Sequence, residues 1–319
     1  MPAQAQQGSG LTLTALGCGT MGIAVLSGVM AKLAELESQA SASSEDVPKR
    51  LPTRFIACVR SEKSAKRIEN DLSKHSASLD IMRNDNVKAV EQADIVLLGC
   101  KPYMVRDILG VEGMREALKG KLLLSMLAGV TVQQIEETLY GSASTGDPIA
   151  EGRCRAVRVM PNYAAFIQES MTVIETSTPP LSDESAALVA WIFNSVGKVV
   201  FLPPSGLDAS TALAGSGPAF MTVILEAMAD GGVAMGLPRA EAQLMAAQVM
   251  RGASGLVLNG EHPAVAKDKI CSPGGCTIGG LTVLEERGVR GSVSRAVREA
   301  TVVASQLGQG VRNVNGTRH

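Results

Sequence analysis

The sequence predicts an α/β chain in two halves, a mostly parallel sheet covered by helices and then an all-helical domain. Three observations carry that prediction. Short apolar runs alternate with helical stretches up to Leu202, and the alternation stops at Pro203–Gly206 (PPSG). Everything after it is rich in Ala, Met, Leu, Gln and Arg without an alternating strand. The expected domains are residues 1–205 and 206–319.

Taken in order, the candidate strands are Leu11–Leu16, Arg54–Val59, Ser78–Met82, Asp94–Gly99, Lys121–Leu127, Ala156–Met160, Met171–Glu175 and Lys198–Leu202. Helical periodicity between them, as in Met21–Leu36 and Glu184–Val196, implies βαβ units with both sheet faces covered. Ser38–Arg50 and Gly141–Gly152 are small, polar and aperiodic, and read as mobile surface loops. From Leu207 on, the helical half is broken at Gly236–Pro238, at Asn259-Gly260 and at 269–280, and the GTRH tail is expected to fray.

At 319 residues, 45% of them hydrophobic, the chain can bury a core in each half. A net charge of −1 and 3% aromatics argue against a nucleic-acid partner. MPAQAQQGSG lacks the layout of a signal peptide, and no apolar run reads as long enough to cross a bilayer. A soluble, cytoplasmic protein is expected. Cys18, Cys58 and Cys100 lie in or beside strand-like runs, and neither they nor Cys154, Cys271 and Cys276 complete a zinc set. They read as reduced structural thiols, with no metal site.

The first strand runs into GCGTMG and then a helix, which is G-x-G-x-x-G in its informative context. Gly17 permits the tight turn, Gly19 the approach of a pyrophosphate, and Gly22 close helix–strand packing. Thr20 and Met21 open the helix whose positive end faces the anion. The first half is therefore Rossmann-like. An NAD site places an acid after the second strand; here Arg60 and Ser61 stand there, with Lys63 and Arg67 nearby. A guanidinium and a hydroxyl suit a 2′-phosphate, so NADPH is the expected cofactor, with NADH used less efficiently. Cys100, Lys101 and Pro102 follow the fourth strand, where cofactor or substrate would lie. Asn86 is within reach of a ribose, and Asn162 ends the sixth strand at the same rim.

Beyond Leu207 come LAGSGPAF, ADGGVAMGLPR with interior glycines that suit close helix approach, and KDKICSPGGCTIGGLTVLEERGVR. With GxGxxG, the Lys-Pro after the fourth strand, MPN and EHP, these motifs span nearly the whole chain. They are similar to those of the pyrroline-5-carboxylate reductase family. The departures are the Ser38–Arg50 insertion, Tyr163-Ala164 after MPN, and cysteines at 271 and 276 where small residues are usual.

That resemblance implies NADPH-dependent reduction of a cyclic imine bearing one carboxylate, at the last step of proline biosynthesis. It also implies a helical C-terminal dimerisation domain, hence a homodimer at least and a decamer as a ring of dimers. The backbone of Gly274, Gly275, Cys276 and Thr277, with Ser272 beside it, is then the carboxylate site. Bare glycine backbone before a helix admits an anion to its N–H groups. Thr277 is the expected hydrogen-bonding partner of the imine nitrogen, and Glu261 favours its cationic form. His262 reads as a helix-start residue. Helix Pro218–Ala234 has no lysine, unlike the β-hydroxyacid dehydrogenases that are the alternative enzyme. A catalytically silent NADPH-binding sensor is the third reading.

Overall fold

The computed structural model describes residues 10–38, 47–144, 146–308 and 311. Each expected strand forms, its ends shifted by at most two residues: β1 Leu11–Leu16, β2 Pro52–Val59, β3 Leu79–Arg83, β4 Ile95–Leu98, β5 Leu122–Ser125, β6 Arg155–Met160, β7 Ser170–Glu175 and β8 Gly197–Leu202. They make one sheet in the order β3-β2-β1-β4-β5-β6-β7-β8. Because β1 pairs with both β2 and β4, the strand order reverses there, at the point where open α/β sheets bind ligands.

Every pairing is parallel except β6 with β7. The chain between those two holds only the short 3-10 turn Tyr163–Ile167, whereas a parallel return needs a crossover of about a dozen residues or more. Helix Asp183–Asn194 supplies such a crossover between β7 and β8, and that pair is parallel.

Adjacent residues along the strands point to opposite faces, so the apolar side chains sort into two layers. Leu13, Leu97, Leu124 and Val157 pack with the helices Thr20–Ser38 and Asp183–Asn194. Leu16, Leu98, Leu123 and Ala156 pack with Val90, Leu109, Leu118 and Ile135 from the helices of the other face. The apolar runs of the sequence are thus strands buried on both sides.

The pairing of β8 begins at a glycine with a measurable requirement. Gly197 has φ +151°, and a Cβ there would lie 2.0 Å from the Ser170 carbonyl oxygen of β7. Gly197→Ala is expected to destabilise the fold by about 3 kcal/mol or more, since both a backbone clash and a forbidden φ oppose it. Thermal denaturation reads this directly; a melting temperature equal to the parent's would contradict it.

Ser38 closes its helix, and residues 39–46 of the Ser38–Arg50 loop, Thr145 and the tail lie outside the described residues. Gly141–Gly152 is a loop, as the sequence reads it, and its described part is tied by hydrogen bonds. Ser144 N–H donates to the buried Glu136 carboxylate at 2.7 Å, and Gly146 N–H to Glu151 at 3.0 Å. Serines and acids that look merely hydrophilic in sequence act here as local acceptors.

The described residues form two compact units, one within Met1–Gly215 and Thr301–His319, the other Ser216–Ala300. The second contains helices Gly217–Ala234, Arg239–Leu258, Pro263–Ile270 and Cys276–Glu286. Its buried apolar side chains are alanines, namely Ala229, Ala242, Ala246 and Ala266. Gly232 allows the first two helices to close up: its Cβ would lie 3.4 Å from Ala242 Cβ, whereas Gly231 faces open space. Large apolar side chains stay outside, with Val223 64%, Leu244 70% and Leu258 85% exposed.

One sequence expectation needs correcting. Among the described residues, the helical stretch Pro204–Ala234, 31 residues long, is apolar and long enough by length and composition to cross a membrane. The Gly-Ser-Gly turn and Pro218 divide it as sequence, but helical backbone continues through them almost without a break.

Candidate active site

The glycine loop has the geometry its spacing demands. Gly17 sits at φ +71°, and a Cβ there would meet the Cys100 backbone at 3.0 Å. The loop is thereby pressed onto the end of β4. Gly22 lies against Cys18 and Ala15, letting helix Thr20–Ser38 pack close to β1. Gly19 differs: beyond its own loop's Gly17 carbonyl, a Cβ there would touch nothing within 4 Å. Open space lies ahead of a helix start whose first N–H groups have no intrahelical acceptor. Three thiols lie in and beside this loop: Cys18 within it, Cys58 in β2 and the partly buried Cys100 after β4. Burial pushes Cys18 and Cys58 up to about 12 and Cys100 up to about 11, so all three are protonated at neutral pH and act as small apolar groups.

Arg60 follows β2 immediately and is exposed, with no partner among the described residues. Ser61 caps helix Glu62–Asp71 by accepting Ser64 N–H at 3.2 Å. Arg67, one of the nearby cations noted in the sequence, donates to Thr20 Oγ1 at 3.4 Å and so joins the two loops. The neighbouring acid, Glu62, is engaged by Lys66 at 3.0 Å and Arg83 at 3.9 Å. Open space before a helix start, cations after β2 and no carboxylate in the position that would repel phosphate fit a phosphorylated dinucleotide.

Asn86 opens a helix beyond β3, half-buried, its side chain without a hydrogen bond among the described residues. Lys101 is exposed and extended, as the following Pro102 requires, and leads into a 3-10 turn. Met126 carries no signal in the sequence, because an apolar side chain at a strand end has no chemical signature. A Cβ on Gly99 would lie 3.0 Å from its Cε and 3.3 Å from Gly17 O, so Met126 borders the glycine loop. Asn162 is at the rim, but its amide is engaged within the protein and bonds the Ala214 carbonyl at 2.9 Å.

In the second unit, Ser272–Gly275 form a turn closed by Gly275 N–H donating to Ser272 O at 3.0 Å, with Gly274 at φ +69°. Gly275 was expected to offer its N–H to a ligand; it is used inside the turn instead. The N–H groups of Gly274, Cys276 and Thr277 have no partner among the described residues. Helix Cys276–Glu286 starts after Gly275 with no side-chain cap. Thr277 is therefore not a cap. It is half-buried and its hydroxyl makes no hydrogen bond among the described residues. Cys276 is exposed beside it, while Cys271 Sγ donates to Lys267 O at 3.2 Å.

Glu261 precedes helix Pro263–Ile270, and its carboxylate pairs with Lys269 at 3.0 Å. The sequence expectation had not given it this partner. His262 caps the same helix through Nδ1, which accepts Ala264 N–H at 3.3 Å. Among the described residues, no cluster of His, Cys, Asp or Glu could hold a metal ion.

Two family descriptions match: pyrroline-5-carboxylate reductase dimerisation over residues 204–307, and NADP oxidoreductase, coenzyme F420-dependent, over residues 12–129. The chain is 62% identical to a pyrroline-5-carboxylate reductase of Lophium arboricola over all of both chains. It is 52% identical to one of Neurospora crassa over 99% of each. Among solved structures, a pyrroline carboxylate reductase of Plasmodium falciparum with NADP bound gives a TM-score of 0.72 at 25% identity, over 93% of this chain and 98% of that one. The 1-pyrroline-5-carboxylate reductase of Streptococcus pyogenes gives 0.71 at 28% identity, over 93% and 99%. With identity sustained over the full length and both halves matched, the chain belongs to the pyrroline-5-carboxylate reductase family.

Proposed function

We infer that this protein catalyses the NADPH-dependent reduction of 1-pyrroline-5-carboxylate to L-proline, the last step of proline biosynthesis. The observation that carries the reading is full-length identity of 62% to a reductase of that name. The turn at Ser272–Thr277 supplies the chemistry the substrate calls for.

When bound, NADPH supplies the hydride that the imine carbon receives. Gly17, Gly19, Thr20, Met21 and Gly22 hold its pyrophosphate, and Arg60 with Ser61 holds its 2′-phosphate, with NADH a poorer substitute. Asn86, Cys100, Lys101 and Pro102 line the remainder of that site. Ser272 and the backbone N–H groups of Gly274, Cys276 and Thr277 bind the carboxylate, and Gly275 shapes their turn. The Thr277 hydroxyl orients the ring nitrogen by a hydrogen bond. The imine is basic enough to bind protonated, so no strong general acid is needed. Glu261 favours that cation electrostatically, in balance with its partner Lys269. Incubation with NADPH and the cyclic imine, followed at the nicotinamide absorbance, tests the reading; a folded protein that oxidises no NADPH refutes it.

The helical unit supports a homodimer. A unit whose buried apolar side chains are alanines gains little from burial alone, and its exposed Val, Leu and Met side chains need a partner surface. The family description over residues 204–307 is that of dimerisation. A ring of dimers forming a decamer is the larger assembly proposed, in the cytoplasm, where free thiols such as these stay reduced. Light scattering at micromolar concentration should return at least twice the 33.2 kDa chain mass; a monomer would refute it.

A further inference from the structure

The connection leaving the first unit contains a π-helical turn, Thr211–Gly215, followed by Ser216 and helix Gly217–Ala234. Continuing helical bonding would give the Ala214 carbonyl the N–H of residue 218, and proline has none. The next N–H, of Ala219, already donates to Ser216 O at 3.0 Å. The carbonyl thus lacks its α-helical donor beside the buried Ala212. Asn162 Nδ2 donates to it at 2.9 Å, from 52 residues away in sequence.

That donor is itself held in place. Asn162 Oδ1 accepts Ala164 N–H and its own N–H donates to Ser170 Oγ, each at 3.0 Å, and the residue is 7% exposed. Leu207, at the start of the same connection, is buried against Met160 and Val173. Arg158 of β6 lies 3.9 Å from Asp208. The end of β6 therefore grips the connection at Leu207, Asp208 and Ala214. A proline deletes a donor in one motif, AGSGP, and the asparagine of another, MPN, replaces it.

We propose that Asn162 is a positioning residue for imine reduction: it touches neither substrate nor cofactor, but fixes the turn from which the Gly-Ser-Gly-Pro segment departs. The proposal rests on the reductase reading. Asn162→Asp keeps the acceptor that caps Ala164 and exchanges the donor for a buried carboxylate oxygen that repels the Ala214 carbonyl. In the full-length chain it should lower kcat about tenfold, the scale of a part-buried carbonyl losing its hydrogen-bond donor, while NADPH binding and oligomeric mass stay unchanged. Asn162→Ala also drops the Ala164 cap and should lose at least as much, whereas adding Pro218→Ala to Asn162→Asp should recover most of the loss, because residue 218 can then donate to Ala214.

Hydrogen exchange over 211–220 reads the same bond without turnover, and should accelerate in Asn162→Asp. Parental kcat in that variant, no recovery in the double variant, loss of NADPH binding in step with kcat, or unchanged exchange would each overturn the proposal. An inactive parent chain would refute the reductase reading instead, and the exchange measurement would still decide this one.

Discussion

Thr277→Ala is expected to lower kcat/KM for the imine ten- to a hundredfold while the protein stays folded and assembled. In the proposed role the substitution removes a hydrogen bond to a group that is charged or becoming so, a contact worth about 1.5–3 kcal/mol, and that energy sets the size of the effect. Thr277→Ser keeps the hydroxyl and should recover most of the activity. The structure sharpens this test. Were Thr277 the helix cap, alanine would cost about 1 kcal/mol of stability and little turnover. It is instead the second helical residue, after an N-cap, Gly275, that contributes no side chain. Alanine is at least as good a helix former there, so the melting temperature should hold while turnover falls. The backbone N–H groups would still meet the carboxylate, and inhibition by free proline should weaken less than kcat/KM does. NADPH affinity should not change, because the glycine loop lies in the other unit. Parental turnover in a folded, assembled Ala variant would remove Thr277 from the chemistry.

The second large effect concerns cofactor choice. In the proposed role of Arg60, Arg60→Asp exchanges a charge-assisted contact to the 2′-phosphate for repulsion. The ratio of kcat/KM with NADPH to that with NADH should fall by about a hundredfold, or ~3 kcal/mol. Arg60 is exposed, so the parent's preference should shrink as ionic strength rises. Arg67 stays in place, anchored between Thr20 and Asp71, and should keep NADPH binding measurable in the variant. Equal or better use of NADH by the unmodified protein would defeat the assignment of Arg60 and Ser61.

Much of this architecture is legible in the amino-acid sequence, because the signals that carry it act locally. Alternating apolar runs and helical periods determine where strands and helices form, and the eight strands stand within two residues of where those runs put them. Gly17 needs its positive φ whatever lies around it, and the Pro-Gly-Gly of 273–275 makes its turn by backbone preference alone. The 31-residue helical stretch was missed for a related reason: glycine and proline read as breaks, although Pro218 sits at a helix start, where it is tolerated.

What only the tertiary structure decided is who satisfies whom. Sequence marked Asn162 as a rim residue; its amide answers a carbonyl 52 residues away that Pro218 deprives of a donor. Glu261 looked free to act on a cation and is paired with Lys269. Gly275 looked like one more anion-binding N–H and is consumed by its own turn, while the Thr277 hydroxyl, expected to face a substrate, has no partner among the described residues. Backbone conformation is written residue by residue, in sterics and side-chain pattern. A polar group's role depends on which partner the fold brings within about 3 Å, and that distance exists only once distant segments have packed.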